Sequence, residues 1–423
     1  MFVIPVSTER RLFRRLRQLA VTCVVVSTAT AWGQAQAPAS KDTLPKDFRP
    51  PRAVLDVINA EDELTTEDAY SQWKKKELTN FGVAIKSPRL NPAQTKQIED
   101  GCKLRVQRLS LKVHRNNLKP VRVEIYRTLH LEATPAARDV AFKAIAAEAE
   151  RLLAGNLTVR LQALILLSEL ETVAANPAKN APAVLYADAL NIYFKVINDS
   201  KQPEAVRLLT ASLTEKLLKE SGLATNPPAK LRIEAGKVLA PLVAKNDSNE
   251  WYQKALVTAL QAVNLPTIPD ASNVQQPIIA NTLHKVIADP MRTYMVRSKA
   301  VQAFGNLSLP QSGVDFAAVT KDMLKLTREI STDYNAGKVN ATKATFQLQD
   351  IYLGLKAWKA ASPNDKNVQA AYTAALPPVR HALKNLQNNP PAAMPKDTLD
   401  GINAIIGVEK KTAEQPNVNA KQG

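Results

Sequence analysis

Glycine, cysteine, histidine and aromatic residues are all scarce in this chain, and each scarcity removes a class of chemistry. Thirteen glycines in 423 residues form no Walker-type phosphate loop and no GxGxxG turn. No GxSxG turn and no HExxH pair occurs either, which disfavours the hydrolases built on those motifs. The four histidines, His114, His130, His284 and His381, are scattered, and none has a Cys, Asp or Glu at a recognised metal-ligand spacing. Of the two cysteines, Cys23 and Cys102, only Cys102 survives removal of the N-terminus, so no internal disulfide is expected. Cys102 falls in an amphipathic stretch and reads as a small, half-buried apolar residue. Period-two runs of Val, Ile and Thr are nearly missing, whereas Ala, Leu, Lys and Gln abound. That balance predicts an all-α protein.

The N-terminus reads as an export signal. Residues 1–18 carry Arg10, Arg11, Arg14, Arg15 and Arg17 against Glu9, and Leu19 to Ala31 is apolar or small throughout. A cationic segment followed by a short apolar run is the layout of a secretory signal peptide, and the run is too short to span a bilayer. Residues 1–35 are therefore assigned to the signal, with cleavage near 33–37 and a periplasmic or extracellular destination. Arg10, Arg11, Leu12 and Phe13 resemble a twin-arginine core, but Arg14 stands where that pattern prefers Leu, so the general and twin-arginine routes both stay open. Cleavage after Gly33 removes five arginines and one glutamate, which lowers the net charge from +17 to +13. A basic, exported chain attracts acidic partners and anionic surfaces.

Residues 36–85 read as a Pro-rich linker and one short helix, Thr65 to Leu78, with Thr at its cap and acidic residues in its first turn. Helical patterning then runs from Asn91 to His114, Lys119 to Leu131, Ala136 to Ala154, Val159 to Val173, Pro182 to Asn198 and Pro203 to Ser221. It resumes over Ala229 to Lys245, Asn249 to Asn264, Pro277 to Ala288 and Met291 to Leu307. Residues 312–390 are expected to form a C-terminal helical region, broken near Asn335 and at Pro377 and Pro378. Residues 391–423 read as a mostly disordered tail.

A lettering repeats along these helices. Val159, Ala163, Leu167 and Leu170 lie at i, i+4, i+8 and i+11, with Arg160 directly after the first. Leu231, Ala235, Leu239 and Leu242 follow the same offsets, as do Val296, Ala300, Phe304 and Leu307, and Val121, Ile125 and Leu129 form a partial instance. Val206 and Arg207 keep the opening, but Thr210 and Thr214 break the apolar offsets. One helical pair exposes a whole apolar face, so neighbouring pairs are expected to share their cores. The lettering resembles the HEAT and armadillo class of helical repeats over residues 86–311. That resemblance implies an irregular α-solenoid of helical hairpins, in which the aliphatic-Arg pair opens the second helix of each unit.

The one constellation suited to a ligand is basic. Arg105, Arg108, Lys112, Arg115, Lys119 and Arg122 succeed one another by three or four residues, flanked by Lys103 and Arg127. On a helix such spacing makes a stripe, which either contacts an anionic partner or forms a solvated face opposite Leu104, Leu111, Leu118 and Ile125. The functional expectation is a non-enzymatic scaffold for protein-protein interaction, without cofactor or metal. The alternative is a binder of anionic glycan, lipid or nucleic acid through residues 103–127, nucleic acid being the least favoured for an exported chain. An enzyme with dispersed catalytic residues is the third reading.

Overall fold

A computed structural model describes residues 63–176, 181–220, 229–246, 249–309, 313–361, 366–388 and 391–407. The expected signal peptide over residues 1–35, the expected linker up to residue 62 and the part of the expected tail from residue 408 lie outside the described residues. Fifteen α-helices and two short two-stranded hairpins occur among the described residues, so the protein is all-α. The chain divides into two compact units between Ala224 and Thr225, within the region that carries the repeated lettering.

The first unit holds α1 (Glu67–Lys86), α2 (Pro92–Gln107), α3 (Leu118–Glu132), α4 (Pro135–Leu152), α5 (Leu157–Leu167), α6 (Ala189–Asn198) and α7 (Glu204–Glu220). Local signals start these helices. Thr66 accepts from the Ala69 N–H, Asn91 and Gln94 form a reciprocal capping box, and Thr134 and Asn156 cap α4 and α5. Two expected helices are shorter than their patterning. After α5 the chain forms strand β1 (Glu171–Val173), which pairs antiparallel with β2 (Val184–Leu185) ahead of α6. In this unit α2 packs on α1 and α4, α4 on α5, α5 on α7, and α6 on α7.

The second unit holds α8 (Ala229–Ala244), α9 (Glu250–Val263), the hairpin of β3 (Ile268–Pro269) and β4 (Gln275–Gln276), α10 (Ile278–Ala288) and α11 (Tyr294–Gly305). It continues with α12 (Phe316–Asn335), α13 (Ala341–Ala361), α14 (Lys366–Leu386) and α15 (Lys396–Ile406). Its helices contact one another in two series: α8, α10, α12 and α14 pack successively, and so do α9, α11 and α13. Chain neighbours α8 and α9, α10 and α11, and α12 and α13 join the series. The β3–β4 turn is built by Asp270, whose Oδ1 accepts from the Ser272 and Val274 N–H groups, with Asn273 at φ +60°.

The repeated apolar offsets are the core. Val159, Ala163, Leu167 and Leu170 are buried, as are Val296, Ala300, Phe304 and Leu307, and Val121, Ile125 and Leu129. In α8, Ala235 and Leu239 are buried and Leu231 and Leu242 half-buried. Thr210 and Thr214 are buried as well, their hydroxyls donating to the carbonyls of Val206 and Thr210. A threonine whose hydroxyl is satisfied four residues back presents a methyl to the core, so α7 completes the pattern that its lettering had broken.

The arginine of the lettering has a structural task. Helix ends leave carbonyls without intrahelical partners, and a cation beside them also meets the negative end of the helix dipole. Arg160 donates to the Ala154 and Gly155 carbonyls beyond α4, Arg232 to Val263 at the end of α9, and Arg297 to Ile287 in the last turn of α10. Arg160 also reaches Gln202, Arg297 reaches Glu329 in α12, and Arg122 binds Glu169 and Gln162. Each of these ties segments that are distant in sequence.

Two differences concern the C-terminal region. Pro377 and Pro378 lie inside α14 without ending it. Pro377 and Thr373 are both exposed, so the Thr373 carbonyl that loses its N–H partner stays accessible to water. Within residues 391–423, expected to be mostly disordered, α15 forms because Thr398, Ile402 and Ile406, at i, i+4 and i+8, are buried against the body of the unit.

Candidate functional site

The basic segment spans the end of α2, two 3-10 turns (Arg108–Ser110 and Lys112–His114) and most of α3. A single helix from Asn91 to His114 does not form. Ser110 diverts the chain: its hydroxyl donates to the Gln107 carbonyl at 2.7 Å and accepts from the Leu64 N–H at 2.9 Å. The cationic spacing is therefore broken at residue 108, and its eight residues separate into two groups.

Arg105, Arg108 and Arg122 turn inward and are buried. Arg108 donates to Glu124 at 2.8 Å and to Glu67 at 3.4 Å, while its guanidinium carbon lies 3.9 Å from the centre of the Tyr70 ring. The Tyr70 hydroxyl donates to the other oxygen of Glu124, and His114 Nε2 lies 2.9 Å from Glu67. Burial would raise both carboxyls. The donors from His114 and Arg108 to Glu67, and from Tyr70 and Arg108 to Glu124, outweigh it and hold both below the usual carboxylate range. Burial, followed by the Glu124 carboxylate, pushes the Tyr70 hydroxyl up to about 12.

Arg105 is 4 % exposed, with its guanidinium carbon 4.3 Å from the Phe81 ring centre and 5.3 Å from that of Trp73. Its Nε and Nη1 have no hydrogen-bond acceptor among the described residues, so the two aromatic faces are its main stabilising contacts. Beside it, burial pushes the Cys102 thiol up to about 12 against the opposing charge of Arg105. Arg122 is held by Glu169. The Arg108 cluster fastens α1, the first 3-10 turn and α3 to one another, and Arg122 ties α3 to Gln162 in α5 and to Glu169 beyond it.

Lys103, Lys112, Arg115, Lys119 and Arg127 point outward and are exposed. The side chains of Lys103, Arg115, Lys119 and Arg127 make no hydrogen bond or ion pair with described residues, which leaves them able to meet an anionic partner.

The histidines are engaged locally. His130 Nε2 accepts from the Glu171 N–H at 3.1 Å, and burial, with the nearby Arg138, holds the ring well below its ordinary range, at about 4. The Glu171 carboxylate lies 3.9 Å from its Nδ1, but a ring kept neutral makes that approach a dipolar contact. His284 pairs with Asp322 at 2.9 Å, and His381 with Thr398 at 2.7 Å. Among the described residues no group of three His, Cys, Asp or Glu side chains could hold a metal ion. No helix among them is long and apolar enough to cross a membrane.

A second surface, which no motif in the sequence marks, lies in the C-terminal unit. A cavity of about 340 Å³ between α13 and α14 is lined by Gln349, Tyr352 and Leu353 from one helix and Arg380, Leu383, Lys384 and Gln387 from the other. Its available signal is Leu353, which follows Phe346 by seven residues on one helix face while the other apolar positions of α13 supply a core. No protein-family model matches the chain, and no curated protein matches its sequence.

Proposed function

We propose that the protein is an exported, non-enzymatic helical-repeat scaffold that binds another protein, its helical pairs forming an irregular α-solenoid of HEAT-like hairpins within each unit. The observation that carries this reading is the two-series contact order of α8 to α14, in which helices join their chain neighbours and the next helix but one. Such stacking extends a surface one pair at a time, which suits recognition of a macromolecule. The buried ionisable groups of the basic segment support the same reading, because they are occupied in joining helices. Export rests on the cationic and apolar N-terminal segments. Purification of the mature chain from the envelope or culture fluid tests the proposal: a stoichiometric protein partner is expected, whereas turnover of a substrate by the isolated chain would overturn it.

A second reading is favoured by the unpaired exposed cations, Lys103, Arg115, Lys119 and Arg127: attachment to a polyanion or anionic surface. Charge reversal of these four should abolish heparin retention, and retention that persists removes this segment as the site.

A further inference from the structure

We propose that the groove between α13 and α14 receives an amphipathic, acidic helix from a partner protein. This inference rests on the scaffold reading and gives its partner a chemical class. On α13, Gln349 and Leu353 line the groove, and Phe346, beyond the lined stretch, shares their helix face at i, i+3 and i+7. Phe346 is 65 % exposed and Leu353 39 % exposed. That face is surplus to the core, since Ala344, Leu348, Ile351, Leu355 and Trp358 are completely buried elsewhere on the same helix. On α14, Arg380, Leu383, Lys384 and Gln387 follow at i, i+3, i+4 and i+7 along the other wall.

Charge selects the occupant. Arg380 and Lys384 are exposed, and their side chains make no hydrogen bond or ion pair with described residues. Lys356 is exposed too, its Nζ 5.6 Å from the centre of the Tyr352 ring. The lining residues include no carboxylate. A partner that covers Leu353 and Phe346 must bring apolar side chains, and one that rests against Arg380 and Lys384 must bring anions. An anionic glycan or nucleic acid supplies only the second. A helix supplies both, because residues seven apart along it are about 10 Å apart, the same repeat that separates Phe346 from Leu353. Its apolar positions fill the cavity while flanking Asp or Glu reach the rim.

The test uses the full mature chain and fluorescence anisotropy with three labelled helical peptides of about 18 residues. All three share one leucine stripe, and their flanks carry Glu, Lys or Gln. The Glu peptide should bind most tightly, with its Kd raised at least about tenfold by Arg380→Glu combined with Lys384→Glu, and likewise by Leu353→Asp. The Lys peptide should gain at least about tenfold on the doubly reversed chain. Reversal of Lys119 and Arg127, in the other unit, should leave binding of the Glu peptide unchanged, and circular dichroism of each variant checks its folding. Equal binding of the Gln or Lys peptide to the native chain overturns the proposal, as does a Glu peptide indifferent to both sets of substitutions. Equal competition by polyglutamate, which lacks apolar side chains, overturns it too. If a stoichiometric partner is retained by the Leu353→Asp chain, the groove loses its role while the scaffold reading stands. If the Glu peptide behaves as expected but the native chain carries no partner, the groove stands and the scaffold reading fails.

Discussion

Arg108 joins three helical segments through Glu67, Glu124 and the Tyr70 ring, so its removal leaves two carboxylates short of their cation. Arg108→Met should lower the unfolding free energy by about 1.5–3 kcal/mol, whereas Lys103→Met at an exposed position should stay within about 0.5 kcal/mol. Urea titrations of both variants check the contrast. Cys102 should resist thiol reagents in the native state and react only on unfolding, since burial raises its pKa to about 12. His130 supplies a pH dependence. Its folded pKa of about 4 lies below the ordinary 6.5, so between those values the unfolded chain binds more protons. The contribution of His130 is complete above pH 6.5 and lost as the pH falls to about 4, on the order of 3 kcal/mol. The lowered carboxylates Glu67, Glu124, Asp322 and Asp333 lose their contribution only below about pH 4.5, while burial raises the carboxyls of Glu171 and Asp350, which act in the opposite sense to His130 as the pH rises. Chemical denaturation between about pH 4.5 and 6.5 should show a shallower slope in His130→Gln. At this scale the sequence revealed residue types but not their direction. Arg105 and Lys103 look alike in a list of cations, and only packing against Phe81 and Trp73 distinguishes them.

Among the elements, helix positions were legible because caps and apolar offsets are local signals. Thr66 and Asn91 start helices where their spacing predicts them, although α1 runs on to Lys86 past its expected end at Leu78. The departures have distant causes. Ser110 ends the run after α2 through a bond to Leu64, and α14 passes through Pro377 because its freed carbonyl is accessible to water. The meeting of α11 and α13 was equally hidden. A Cβ at Gly305 would lie 1.9 Å from the Gly354 carbonyl oxygen, and one at Gly354 would lie 2.5 Å from that of Val301. Both obstacles are backbone, so the two helices approach as closely as glycine permits. Gly354→Ala should therefore cost about 3 kcal/mol. Gly401→Ala, in α15, where the added methyl meets no described atom within 4 Å beyond the helix's own adjacent backbone, should stabilise by about 0.5–1 kcal/mol. Thermal melts followed by circular dichroism would separate the two.

For the molecule as a whole, the two compact units make a prediction about autonomy. Each has its own buried core, with Phe81, Phe142 and Tyr193 in one and Tyr252, Phe304 and Trp358 in the other. Residues 63–224 and 225–423, produced separately, should each unfold as a cooperative helical domain, and calorimetry of the two pieces checks this. The class of the fold could be read from composition, since little Gly and few β-branched runs leave helix as the means of burying so much Ala and Leu. The division into units could not, because the same lettering runs on both sides of it. One consequence follows from the arginine ties of the second unit. Arg292 grips the Ala244 carbonyl at the end of α8 and Gln253 in α9, while Arg297 grips Glu329 in α12. Excision of part of the α10–α11 pair would strand acceptors on both sides of the cut. Descendants of this chain can therefore lengthen or shorten here only by whole hairpins that bring their own guanidinium, so natural variation in size should come in multiples of one pair.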